Sequence, residues 1–248
     1  MQRYKCTISY DGTLFSGYQI QPNARTVQSV MEAALMKIHK GQAVKVTASG
    51  RTDAGVHAKG QVIHFDSPLI IPDNKWRMAL QSQLPEDISV IKVEKIHRSF
   101  HARFDAKGKE YRYFIKRTAL KDPFSRNYQY HYSYELDKDS IQEAAHHLMG
   151  THDFTSFCSA KTEVEDRIRT IKEIEIVEDE DTLMFRFVGN GFLYNMVRIL
   201  VGTLLEVGRG LRKPEEMLEI LHAKDRNQAG KTAPPHGLYL WKVHYESD

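Results

Sequence analysis

The order in which the hydrophobic periods change along this chain limits its fold more than any other feature. Residues 3–10 alternate, with Tyr4, Cys6, Ile8 and Tyr10 on one face, the period of a half-buried strand. From Thr26 the period lengthens: Val27, Val30, Met31, Ala34, Leu35 and Ile38 make one helical stripe, with Thr26 as its N-cap and Gly41 beyond its end. Strands are expected at 43–48, 61–66 and 88–96, with a short helix at 74–83 containing Trp76, Met78 and Leu80. The second half repeats the theme. A strand at 109–116 places Tyr111, Tyr113 and Ile115 on one face, and a helix at 138–149 turns Ile141, Ala144, Ala145 and Leu148 inward. Strands at 170–177 and 182–188 flank the acidic turn EDED, a hairpin signal. A long helix is expected over 192–207, with Leu193, Met196, Val197, Leu200, Val201 and Leu204 as its buried stripe. Pro214 suits the first position of a further helix reaching Leu221, and a strand at 238–245 closes the chain.

Each half therefore reads strand, helix, strand, strand, helix, strand. That order predicts an α+β fold of two similar α/β lobes, 1–105 and 106–248, with a mixed, mainly antiparallel sheet and helices on one face. An active-site cleft between the lobes is the expected binding position.

A chain of 248 residues forms a sizeable core without disulfides or metal. No run approaches 18 consecutive apolar residues, so no membrane span is expected, and MQRYKC has no apolar signal-peptide segment. Two cysteines, Cys6 and Cys158, fit reduced thiols in a cytoplasmic protein. The net charge is only +3, but its distribution is uneven. Between Arg98 and Arg117 lie seven Lys or Arg residues and two acids, Asp105 and Glu110, interleaved with Phe100, Phe104, Tyr111, Tyr113 and Phe114. Cations neutralise phosphates and aromatic faces stack on bases, so this stretch reads as an RNA contact; the alternative is a basic strand whose rings are core.

Four polar segments break the periodicity: 11–25, 50–58, 150–158 and 227–237. The densest is GRTDAGVH at 50–57, which follows a strand and holds Arg51, Thr52, Asp53 and His57 between glycines. It could present Asp53 to a ligand while Arg51 meets phosphate, although a lone aspartate in such a turn is more often structural. Metal chemistry is disfavoured. Asp53 and His57 lie in a loop rather than on a helix face, and His146 and His147, adjacent on a helix, diverge; the later pair His152 and Asp153 would need further ligands converging on it. Ser156, Cys158 and Ser159 lack a nucleophile-elbow pattern, and no phosphate loop or dinucleotide fingerprint occurs. Arg198 sits off the stripe of a very apolar helix; it is either a rim residue or the partner of a buried anion.

These segments together resemble a known family. GRTDAGVHA (50–58) is similar to the signature of the tRNA pseudouridine synthase A family. YDGTLFSGYQ (10–19), HARFDAKGKEYRY (101–113), GTHDFTSF (150–157), GNGFLYNMVRILVGTL (189–204) and AGKTAPPHGLYL (229–240) resemble further family motifs in the expected order. The resemblance implies an isomerase that converts uridine to pseudouridine at positions 38, 39 and 40 of the tRNA anticodon stem-loop. It implies a homodimer with no metal or organic cofactor. By the same resemblance Asp53 is the nucleophile, and Tyr111 stacks on the target base and helps remove the C5 proton. Arg198 pairs with the catalytic carboxylate and keeps it ionised, Leu238 packs against the base, and Arg51 contacts the backbone and assists base flipping. Attack at C1′, addition to C6 and a glycal route all remain open. The family commonly has tryptophan where this chain has Tyr18, which raises a shifted substrate preference. The rival readings are a non-catalytic binder of the anticodon loop and a nucleoside hydrolase, though the latter usually needs two carboxylates and only Asp53 is clear.

Overall fold

The computed structural model describes residues 1–160, 162 and 164–246. Its elements in chain order are β1 (Gln2–Tyr10), α1 (Val27–Ile38), β2 (Thr47–Ala48), β3 (His57–Ser67), α2 (Asp73–Gln81), β4 (Ile88–Ile96) and β5 (Gly108–Lys116). There follow β6 (Tyr130–His131), α3 (Lys138–His146), β7 (Gly150–Asp153), β8 (Ile168–Asp179), β9 (Thr182–Gly189), α4 (Met196–Gly208), α5 (Glu216–Ala223) and β10 (Leu238–His244). The chain forms two compact units, Met1–Lys107 with Tyr239–Asp248, and Gly108–Leu238. The fold class is α+β with a mixed sheet, as the order of periods implied.

In the first unit β1 runs antiparallel between β3 and β4, β2 pairs with β3, and β10 lies parallel to β3. Tyr4, Cys6, Ile8 and Tyr10 of β1 are buried, as their alternation predicts. Trp76 of α2 is fully buried and contacts Tyr4 at 5.1 Å, Phe65 at 5.3 Å and His39 at 5.9 Å between ring centroids. One indole thus joins both helices to the same face of the sheet. Thr26 caps α1 as expected, in a reciprocal arrangement with Ser29. His39 ends that helix as a structural histidine, its Nδ1 2.7 Å from the Leu35 carbonyl and its Nε2 2.7 Å from Ser67 Oγ. Cys6 is buried in this core and Cys158 in the second unit; neither is disulfide-bonded, and burial raises both thiol pKa values.

In the second unit β9 pairs antiparallel with β5 and β8, β7 adds to β8, and β6 lies parallel to β5. One face of this sheet is apolar: Tyr111, Tyr113 and Ile115 align with Phe187, Phe185 and Leu183. The other carries ion pairs. The Glu110 carboxylate is buried between Arg112 Nε at 2.7 Å and Arg186 Nε at 3.2 Å. Burial alone would raise its pKa, but those two hydrogen bonds hold it below the usual range.

Several boundaries differ from expectation. Only Thr47–Ala48 of the 43–48 stretch pairs as strand. The helix expected from 192 starts at Met196, because Asn195 takes a left-handed conformation (φ +61°) that no helix interior accepts. Pro214, foreseen as the first residue of this helix, lies two residues before it, with Glu215 as the N-cap between. The closing strand, expected within the second lobe, leaves that unit after Leu238 and pairs with β3 of the first. Strands β6 and β7 were not expected, being too short or too polar to show alternation.

Candidate active site

Asp53 lies half-buried in a turn, with Arg51 exposed beside it. The turn is held by the loop that follows β1. The Tyr18 amide donates to the Thr52 carbonyl at 3.0 Å, the Gly55 amide to Phe15 at 3.3 Å, and the Val56 amide to Asp53 itself at 3.1 Å. Gly12 is required here, since a Cβ on it would lie 2.1 Å from the Val56 carbonyl oxygen. Beneath the turn, the buried Tyr10 hydroxyl lies 2.8 Å from Thr52 Oγ1. Burial pushes the Tyr10 pKa up to about 12 against the opposing bonds from Thr52 and Gln61, so this phenol stays neutral. Gln61 Nε2 donates to the Gly50 carbonyl at 2.8 Å and ties down the start of the loop.

His57, considered above as a metal ligand, is a strut. It is buried, stacks on Tyr239 at 4.6 Å, and its Nδ1 accepts the Gly12 amide at 2.9 Å. An Nδ1 that accepts carries no proton, so the 3.2 Å approach of Asp11 Oδ1 is not a hydrogen-bonded ion pair. All the bonds named here that shape the turn come from backbone groups or from Tyr10, Thr52, Gln61 and His57.

Tyr18 is buried rather than presented to a substrate, and its hydroxyl has no hydrogen-bond partner among the described residues. Burial, with Tyr10, Glu32 and Cys6 nearby, holds its pKa well above that of a free phenol. Leaving a buried hydroxyl unmade costs about 1–3 kcal/mol. Tyr18→Phe is therefore expected to raise stability by about 1 kcal/mol, read as a higher urea midpoint at unchanged m-value. A lower midpoint would show that the hydroxyl is satisfied.

In the second unit Arg198 occupies the first turn of α4, half-buried. Its Nε donates to the Ala233 carbonyl at 2.7 Å and its Nη1 to Asn195 Oδ1 at 2.9 Å. The Ala233 amide returns a bond to the Arg198 carbonyl at 3.0 Å. The next carbonyl along, that of Pro234, accepts the Tyr113 hydroxyl at 2.7 Å. The polar segment 227–237 is thus a brace joining Arg198 to β5. Tyr111, two residues before Tyr113, is largely buried and meets Phe192 edge-on at 5.2 Å. Leu238 is buried where the turn Pro235–Gly237 passes into β10.

Sequence reasoning missed Asn195 and the brace. Asn195 is the helix N-cap, yet its side chain caps no helix amide and turns to Arg198 instead. An asparagine just before an apolar helix was the available signal, since asparagine favours both caps and the left-handed region. The basic stretch 98–117 is also more structural than foreseen. Arg112 pairs with Glu110, Lys116 with Asp181, Arg117 with Glu178 and Lys107 with Glu246, while Phe100 and Tyr113 are buried. Asp181, Glu178 and Glu246 are distant in sequence from the cations they neutralise, which therefore look unopposed along the chain.

A family model described as tRNA pseudouridine synthase matches residues 7–105 and 144–246, the segments that hold the Asp53 turn and the Arg198 brace. The chain belongs to this family. The tRNA pseudouridine synthase A of Anoxybacillus flavithermus is 60% identical over 247 residues, covering 100% of both chains. That of Geobacillus sp. (strain WCH70) is 58% identical over 246 residues, covering 99% of each. The Listeria monocytogenes serovar 1/2a protein of the same name is 59% identical over 248 residues, covering 99% of this chain and 100% of its own. Among the described residues, no helix is long and apolar enough to cross a membrane.

Proposed function

We infer that this chain isomerises uridine to pseudouridine in tRNA, at positions 38, 39 and 40 of the anticodon stem-loop, with Asp53 as the nucleophile. The observation that carries the reading is full-length identity of 58–60% to proteins named tRNA pseudouridine synthase A. The chain is accordingly an isomerase acting on tRNA.

The chemistry asks for few groups. The bond from C1′ to N1 breaks, the base turns, C1′ joins C5, the C5 proton leaves and N1 gains one. A carboxylate that attacks C1′ or adds to C6 holds one fragment covalently while the base reorients. We assign that part to Asp53 in the first unit. Arg198 is its cationic partner, Tyr111 stacks on the target base and assists loss of the C5 proton, Leu238 packs against the base, and Arg51 contacts the flipped strand. The clamp on Arg198 supports its assignment, because two hydrogen bonds fix the guanidinium before any substrate arrives. The family resemblance supports a homodimer working in the cytoplasm.

The test is release of tritium from tRNA carrying C5-labelled uridine, with the product mapped. Release is expected from substrates with uridine at 38, 39 or 40 and none when all three are cytidine. Release from the cytidine substrate would overturn the position assignment. No release from any tRNA would make the protein a binder, and free uracil would make it a hydrolase.

A further inference from the structure

Segment 101–107 belongs to the HARFDAKG motif and holds none of the residues assigned to the chemistry, although the sequence reads the wider stretch 98–117 as an RNA contact. Phe104 is 75% exposed, unusual for a phenylalanine in a loop with so much built beneath it. Its ring stacks on His101 at 4.2 Å with the planes 26° apart. The edge of His101 meets His64 at 4.9 Å, and His64 in turn packs on buried Phe100 at 6.1 Å.

The loop is fixed by its imidazoles. His101 Nδ1 accepts the amides of Arg103 and Phe104, each at 3.2 Å, while its own amide donates to Asp105 Oδ2 at 2.8 Å. His64 Nδ1 accepts the Ala102 amide at 3.1 Å, and the Ala102 carbonyl accepts the Tyr245 hydroxyl at 2.7 Å. Burial, then the charge of Arg3 and the neighbouring His101, lowers the His64 pKa to about 4, so it remains a neutral acceptor at physiological pH. The exposed ring therefore rests on a rigid base and loses little freedom on binding. The Arg103 guanidinium lies 5.9 Å from the ring centroid, and Arg98 and Lys107 are exposed on the same stretch. Two acids temper this charge: Asp105, already engaged by the His101 amide, and Glu246, 2.8 Å from Lys107.

A flat aromatic face backed by a second ring, with a guanidinium at its edge, suits another flat π-system attached to an anion. We propose that Phe104 is a stacking platform for an unpaired nucleotide of the bound tRNA, with Arg103 contacting the adjoining phosphate. This is a binding position outside the residues assigned to the chemistry, and it rests on the reading that tRNA is the substrate. A second copy of this chain is the rival occupant. The mixed charge and the guanidinium beside the projecting ring fit a nucleotide better.

The experiment compares wild type, Phe104→Ala, Phe104→Leu and Phe104→Trp for tRNA affinity, single-turnover rate at saturation, and mass in solution by light scattering. Phe104→Ala and Phe104→Leu are expected to weaken tRNA binding about tenfold, and Phe104→Trp to keep it, with saturated rates within about twofold throughout. Arg103→Gln is expected to lower the slope of log affinity against log salt by about one unit. Affinity of Phe104→Ala within twofold of wild type would overturn the proposal. So would wild-type affinity in Phe104→Leu, which would make the contact merely apolar, or a change of mass in Phe104→Ala, which would assign the ring to a second copy. Binding is measured apart from tritium release, so failure of the catalytic reading would appear in the wild type and not in this comparison.

Discussion

Asp53→Asn is expected to release no tritium from C5-labelled tRNA while its affinity for that tRNA stays within roughly tenfold, about 1.4 kcal/mol, of wild type. The amide is nearly isosteric with the carboxylate but does not attack C1′ or C6. Four bonds that hold the turn come from other groups and keep their partners in the variant: Tyr18 to Thr52, Gly55 to Phe15, Val56 to the Asp53 carbonyl, and the Gly12 amide to His57. A melting temperature close to wild type would confirm that only the chemistry was removed. Turnover retained in Asp53→Asn would end the nucleophile assignment. Lost turnover together with lost binding would instead make Asp53 a contact that organises the RNA.

How much of this was legible depended on how local each cause is. Strand β1 and helix α1 could be read directly, because alternation at Tyr4, Cys6, Ile8 and Tyr10, and the stripe from Val27 behind Thr26, are recorded within a few residues. The start of α4 could not, since Phe192 and Leu193 continue the apolar period and only the backbone of Asn195 interrupts it. The partners of the basic strand were also hidden. Glu110 lies two residues from Arg112 in sequence, but Arg186, which completes its pairing, comes from β9 across the sheet. The return of β10 to β3 is a non-local pairing with no trace in periodicity. The same holds for the site. Asp53 and Arg198 were found by resemblance to motifs; period and composition alone left Asp53 an ordinary turn residue and Arg198 open between a rim residue and the partner of a buried anion. What fixes them, His57 under one and the 227–237 brace beside the other, was visible only once the chain was folded.

That brace makes Gly202→Ala the second large effect. In an ordinary helix this substitution stabilises by about 1 kcal/mol, since glycine is the poorer helix former. Here an added Cβ would sit 1.7 Å from the Lys231 carbonyl oxygen, and both sides of that contact are backbone, so no rotamer relieves it. The segment must move away from α4. Moving it strains the Gly230 amide bond to Thr203 Oγ1 at 2.9 Å, the Lys231 amide bond to Glu206 Oε1 at 3.2 Å, and both bonds between Arg198 and Ala233. At about 0.5–1.5 kcal/mol each, their loss outweighs the helix gain and gives a net destabilisation of about 1–5 kcal/mol, read from chemical denaturation. Because Arg198 loses one of its two named anchors, the single-turnover rate at saturating tRNA should fall on the order of tenfold to a hundredfold in the fraction that remains folded, with affinity little changed. Arg198→Ala gives the reference. If the arginine supports the chemistry, it impairs the rate at least as much, and adding Gly202→Ala to it costs stability but little further rate. A Gly202→Ala protein as stable and as fast as wild type would show that the brace does not press on the helix. Lower stability with an unchanged rate would separate the brace from the working of Arg198.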